Sequence, residues 1–236
     1  MPPLLSRALA ASLAAGALVA CAHAHVPLNT LSAAQQGAGW KLLFDGHTTT
    51  GWRGYKSMTM PSGWTVSDGV LLKSGPGDDI LTTDKYRNFD LQLDWKLSTG
   101  GNAGIFYRGT EEYDHIYWSA PEYQLLDDAH HADGRSRLTA AGSDYGLYPS
   151  PAGFVHPANE WNHARILVNG NHVEHWLNGH LMVSYELGSP DWQARVKQSK
   201  FAAYPDYGKA DSGYIGIQGD HDGMLAIRNV QIRVLP

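Results

Sequence analysis

One cysteine in 236 residues rules out any disulfide within the chain, so a folded core must carry its stability alone. Basic residues are few, 18 against 23 acidic ones, and they form no cluster that could track phosphates; with a net charge of −5, a nucleic-acid partner is excluded. Beyond the first twenty residues no apolar run is long enough to cross a bilayer as a helix. No repeat of solenoid or propeller length is present, no alternation of strand and helix patterns that would build a parallel sheet, no phosphate loop and no H-E-x-x-H zinc motif. What is abundant is 26 glycines, 12 tyrosines and 8 tryptophans. Glycine and aromatics in quantity with few charges describe an all-β protein, and exposed aromatic rings make good surfaces for sugars.

The single cysteine has a reading of its own. Arg7 precedes an unbroken small and apolar run, Ala8 to Ala20, of signal-peptide length. The run ends in Leu18-Val19-Ala20-Cys21, which has the form of a bacterial lipobox. Residues 1–20 are therefore expected to be a signal peptide, and Cys21 to carry lipid that anchors the protein to the bacterial cell envelope, periplasmic or outer membrane. Ordinary cleavage after Ala22-His23-Ala24 is the alternative. Residues 21–38 then read as a lipid-anchored tether with one short helical turn, and residues 39–236 as one domain.

From Trp40 onward the dominant signal is a period of two. Phe89, Leu91, Leu93, Trp95 and Leu97 alternate with Asp90, Gln92, Asp94 and Lys96, as in a strand with one apolar and one wet face. Asp68-Gly69, Asn169-Gly170-Asn171 and Asn178-Gly179 each separate two such runs and mark hairpin turns. About a dozen short strands follow from this pattern, and the fold predicted is two packed antiparallel sheets. Ser189-Pro190-Asp191 caps the one helix expected, with Trp192 and Val196 on its apolar side.

Four segments interrupt the strand pattern with polar chemistry. Glycines around Asn102 let the backbone approach a ligand, with Asn102 and Arg108 as donors. In a strand over residues 122–126, Glu122 and Gln124 share a face, and Asp127, Asp128, His130 and His131 crowd its exit. A carboxylate beside an amide could bind sugar hydroxyls or move a proton. The Asp/His mixture also admits a divalent metal, although no metal-ligand spacing supports one and no cofactor is assigned. The aromatic, proline-rich loop of residues 142–157 carries Tyr148 and His156 and has the length of a binding loop. Gln218, Gly219, Asp220, His221 and Asp222 offer an imidazole between two carboxylates. His163, His172 and His175 read as structural or sheet-face residues.

These stretches, taken in order, resemble the 3-keto-disaccharide hydrolase domain family. The resemblance rests on Gly39 to Gly46 with Gly51-Trp52, Gly101 to Arg108, Glu122 to Asp128, Glu160 to Asn162 with Val168 to Gly170, His175 to Gly179, and Gly216 to His221 with Arg228-Asn229. Ala103 departs from it, standing where related sequences often carry serine. The resemblance implies a concanavalin A-like jelly-roll sandwich that cleaves 3-keto-glucosides or 3-keto-disaccharides by elimination and hydration, on a keto-sugar supplied by an upstream sugar 3-dehydrogenase. Such a reaction needs a general base, an enolate stabiliser and an acid. Glu122, His156 and His221 are the candidate base and acid, and Asn102, Arg108, Gln124, Asp127, Tyr148 and Gln218 the candidate substrate contacts. Two alternatives stand beside it: a non-catalytic carbohydrate-binding module of the same fold, and a conventional glucan hydrolase. The latter is weakened because no E-x-D-x-E strand places two carboxylates together.

Overall fold

The computed structural model describes residues 27–75 and 77–236, so the run read as a signal peptide and Cys21 lie outside the described residues. Thirteen strands form: β1 (Trp40–Leu42), β2 (Trp52–Gly54), β3 (Trp64–Ser67), β4 (Val70–Lys73), β5 (Ile80–Tyr86), β6 (Phe89–Leu97), β7 (Asn102–Gly109), β8 (Glu122–Leu126), β9 (Asn162–Asn169), β10 (His172–Leu177), β11 (His180–Glu186), β12 (Gly213–Ile217) and β13 (Leu225–Val234). They make two antiparallel sheets, one in the order β11-β10-β9-β6-β13-β4-β3 with β1 also on β13, the other β2-β5-β12-β7-β8. This is the predicted all-β jelly-roll sandwich.

The turns follow their residues. Asp68 and Gly69 take φ +50° and +76°, and Asn178 and Gly179 +50° and +83°, the two consecutive positive angles of a type I′ hairpin. The β9–β10 turn is tighter than its sequence suggested: Asn169 pairs with His172, leaving Gly170 and Asn171 as a two-residue loop.

Sequential alternation sets the layers. Phe89, Leu91, Leu93, Trp95 and Leu97 of β6 are buried against Ala103, Ile105 and Tyr107 of β7 and Tyr123 and Leu125 of β8 in one continuous core. The outer face of the larger sheet is tied by ions rather than left wet. Asp90 accepts from Arg165 at 2.8 Å and Arg233 at 3.3 Å, while Asp94 meets His163 at 2.9 Å and Arg228 at 3.3 Å. His175 is no surface residue either: it is fully buried among Tyr107, Tyr123 and Tyr185, and burial pushes its pKa down to about 3.

The described residues hold two α-helices, the short turn read in the tether and the one helix expected of the domain. α1 (Ala33–Gly37) is a single turn held by a Ser32/Gln35 capping box, and α2 (Pro190–Gln198) is capped by Ser189 with proline in the first turn. The segment read as tether is in part docked. Asn29 exchanges hydrogen bonds with Asn229 at 2.7 and 2.8 Å, and Gln35 donates to Gln231 at 3.1 Å.

Candidate active site on the outer face of the smaller sheet

On the smaller sheet the residues alternating with the core ones point outward: Asn102, Gly104 and Phe106 from β7, Glu122 and Gln124 from β8, Gly216 and Gln218 at the end of β12. One end of this face is closed. The segment before β8 lays Ile116 and Ala120 over Phe106 and Leu81 as a second small core. The other end stays open as a cleft of about 390 Å³, lined among others by Asn102, Tyr117, Glu122, Gln124, Tyr145, Lys200, Tyr204, Gln218, Asp220 and His221.

The floor is polar and buried. Glu122 is 6 % exposed and Gln124 fully buried. Burial pushes the Glu122 carboxyl up to about 8; Lys200 pulls it down, while Asp79, Asp144 and Asp220 add to the rise. Two amide oxygens, Gln124 Oε1 and Gln218 Oε1, have no hydrogen-bond partner, acceptors of the kind a hydroxyl-rich ligand satisfies. Gln124 Nε2 donates to Asn102 Oδ1 and to the Thr139 carbonyl, both at 3.2 Å. Asn102 in turn meets His221 Nε2 at 3.4 Å.

The rim is aromatic and cationic. Lys200 comes from a 3₁₀ turn (Lys200–Ala203) after α2, and its Nζ lies 4.4 Å from the Tyr145 ring centre, 5.2 Å from Phe201 and 5.8 Å from Tyr117. Tyr204 stacks on Trp118 at 5.2 Å. The loop bearing His221 is pinned from below. Asp79 accepts from Gly219 N–H at 2.9 Å, and Lys73 donates to the His221 and Gly223 carbonyls. Burial, with Asp220 and Asp78 nearby, pushes Asp79 up to about 7.

Of the residues singled out in the sequence, the structure brings Glu122, Gln124, Asn102, Gln218 and His221 together and leaves four elsewhere. Arg108 sits at the far end of β7 with φ +53°, its guanidinium spent on the carbonyls of Arg87 (3.1 Å) and Gly170 (2.5 Å). It lines a separate groove beside Trp192 and Tyr207. Asp127 is buried; burial alone would raise its pKa, but hydrogen bonds from Gly100 N–H and His130 outweigh it and hold the carboxyl low, clamping a turn. Tyr148 stacks on Tyr185 at 4.6 Å and donates to Asp191 at 2.7 Å, seating α2. His156 donates through Nδ1 to the Trp161 carbonyl at 2.8 Å, away from the cleft. Asp128 and His131, read as crowding the exit of β8, serve the loop itself: Asp128 pairs with Arg137 at 3.0 Å and His131 accepts from Asp133 N–H at 3.1 Å. Among the described residues no group of three or more His, Cys, Asp or Glu side chains is placed to hold a metal ion. Lys200, Tyr117 and Tyr204 went unassigned from sequence, since only the fold carries them to β8, while Tyr145 comes from the loop of residues 142–157 read as a binding loop.

A sheet face with a buried carboxyl, unpaired amide oxygens and an aromatic rim defines a carbohydrate-directed β-sandwich of glycoside hydrolase-like class. The chain belongs to the family of 3-keto-alpha-glucoside-1,2-lyase-like domains, whose model matches residues 39–233. It is 34% identical over 229 residues to a 3-keto-disaccharide hydrolase of Bacteroides thetaiotaomicron, covering 84% of this chain and 79% of that one. Its fold superposes with a TM-score of 0.84 on the crystal structure of a candidate glycosyl hydrolase from Parabacteroides distasonis, at 34% identity over 89% of this chain and all (100%) of that one. A carbohydrate-binding module from Bacillus subtilis, 12% identical with a TM-score of 0.51 over 78% of this chain and 96% of that one, shares the fold.

Proposed function

We propose that the protein cleaves 3-keto-glucosides by elimination, with Glu122 as the base. The observation that carries this reading is a buried carboxyl raised to about 8 on the floor of a cleft that it shares with the amides of Asn102, Gln124 and Gln218, with Lys200 as the cation at its rim. A ketone at carbon 3 acidifies the hydrogen on carbon 2, and removing it calls for a base stronger than an ordinary carboxylate. Burial supplies that strength, because a desolvated carboxylate holds a proton more tightly.

The electrons balance as follows. Glu122 takes the carbon 2 proton and the electron pair moves to the ketone oxygen, where the Lys200 ammonium carries the enolate charge. As the enolate collapses, the bond from carbon 1 to the leaving oxygen breaks. That oxygen collects a proton from water while Glu122 returns its own to water, and a water molecule then adds across the unsaturated product. Gln124 and Gln218 accept from sugar hydroxyls through their unpaired oxygens. Tyr117 and Tyr204, which line the cleft, offer ring faces to the sugar whose glycosidic bond is cleaved.

In this proposal the protein acts at the bacterial cell envelope, held by lipid on Cys21, and an oxidation at carbon 3 of a glucoside precedes it. Activity on matched substrates tests the reading. A 3-keto-glucoside is cleaved and the parent glucoside is not. Cleavage of the parent alone indicates a conventional hydrolase, and tight binding without cleavage of either indicates a binding module.

A further inference from the structure

We infer that Asn102 and Gln124 act as positioning residues that hold His221 in one neutral tautomer, with its proton on Nδ1, so that the imidazole serves the cleft as a hydrogen-bond donor and not as the base. The inference rests on the catalytic reading above for its consequence, but its geometry stands independently.

The argument starts from a backbone carbonyl, which can only accept. Thr139 O lies 3.2 Å from the Gln124 side-chain nitrogen, so that atom must be the amide NH₂. Turning the amide over would set oxygen against oxygen at Thr139. It would also put an NH₂ where the structure offers the buried Oε1 no partner. With one Gln124 hydrogen on Thr139 O, the other points to Asn102 at 3.2 Å, so the Asn102 atom facing it must be the carbonyl oxygen. The Asn102 NH₂ is then left facing His221 Nε2, 3.4 Å away. A donor on that side requires Nε2 to present its lone pair, and a neutral imidazole with Nε2 unprotonated carries its hydrogen on Nδ1. Each orientation is forced by the one before it.

Charged groups bear on the same ring from both sides. Glu122, Asp133, Lys200 and Asp220 share the cleft with it, and Lys73, Asp78 and Asp222 share the cavity behind. Asp220 stands nearest, 4.0 Å from Nε2, beyond hydrogen-bond reach. It therefore does not compete with Asn102 for that nitrogen. The mechanistic consequence separates two roles that the sequence left open. An imidazole whose Nε2 lone pair is engaged by an amide must give up that contact before it can collect a proton there, whereas its Nδ1–H is already a donor. Glu122 is left as the base.

Long-range ¹H–¹⁵N NMR of the histidine-labelled whole chain reads the tautomer directly and needs no substrate. His221 is expected in the Nδ1–H form at a pH where the ring is neutral; the Nε2–H form in the unmodified protein overturns the inference. Asn102→Asp offers Nε2 an acceptor in place of a donor, so the resonance pattern should invert to Nε2–H. Turnover of a 3-keto-glucoside should fall at least about tenfold, with a smaller change in KM and a displaced pH profile. Asn102→Asp with an unchanged tautomer and an unchanged profile contradicts the inference, even where the variant is less stable. A correct tautomer with no keto-glucoside cleavage leaves the relay standing and removes the proposed reaction instead.

Discussion

The carboxyl of Glu122 lies across Gly104 on the neighbouring strand: a Cβ built on Gly104 would stand 2.3 Å from Glu122 Oε1. Gly104 pairs with Gln124 in the ladder, so the missing side chain clears the space beside the amide that the carboxyl then fills. Gly104→Ala should therefore push the Glu122 carboxyl off the floor of the cleft while the sheet still forms. Turnover is expected to drop by about tenfold to a hundredfold, with a near-native circular dichroism spectrum. Full activity in this variant would show that the position of Glu122 does not matter.

Glu122→Gln should separate function from stability. Loss of the base costs turnover by a factor on the order of one hundred or more. The same change should stabilise the fold at neutral pH. A carboxyl held near 8 in the native state but ionised from its ordinary 4.5 in the unfolded chain penalises folding between those values, increasingly as pH rises. An amide has no such penalty. At pH 7 the gain is up to about 3 kcal/mol, and at pH 4 it vanishes. Urea titrations of both proteins at the two pH values check it.

Lys200 favours the ionised form of Glu122, so Lys200→Gln should move the acid limb of the rate profile to higher pH. At a fixed pH near 7 less Glu122 is then in its basic form, and the enolate loses its cation as well. A loss of at least about tenfold in kcat, with the limb displaced upward, is the expected outcome. An unmoved limb would detach Lys200 from Glu122.

Asp144 is fully buried, neither of its carboxyl oxygens has a hydrogen-bond partner, and burial drives its pKa well above the ordinary range. Burial disfavours its ionised form in the fold but not in the unfolded chain, so the native state loses stability as pH climbs past about 4. Asp144→Asn removes this dependence. Melting curves should coincide near pH 4 and separate by about 3 °C or more in favour of the variant at pH 8.

The sandwich was legible because its signal is local. β6 declares itself by strict alternation, and the Asp68-Gly69 and Asn178-Gly179 turns by the positive φ they adopt. Glu122 and Gln124 were found for the same reason, since a period of two places them on one face whatever the rest of the chain does. Lys200 and Tyr204 were not, because they reach the cleft from a 3₁₀ turn nearly eighty positions along the chain, and nothing in their neighbourhood marks them. Arg108 illustrates the opposite failure. An arginine closing a glycine-rich strand looks like a ligand donor, yet this one has a left-handed backbone and donates to the carbonyls of Arg87 and Gly170. His156 was likewise drawn into a neighbouring carbonyl that sequence alone does not place beside it.

The central claim, that Glu122 breaks a carbon–hydrogen bond, is tested most directly by following the carbon 2 hydrogen of a 3-keto-glucoside in deuterated water. The account predicts that the cleaved sugar has lost its original carbon 2 hydrogen and carries deuterium there after hydration, and that Glu122→Gln suppresses both the exchange and the cleavage. A cleaved product that retains its carbon 2 hydrogen in full would contradict elimination, whichever residue served as base.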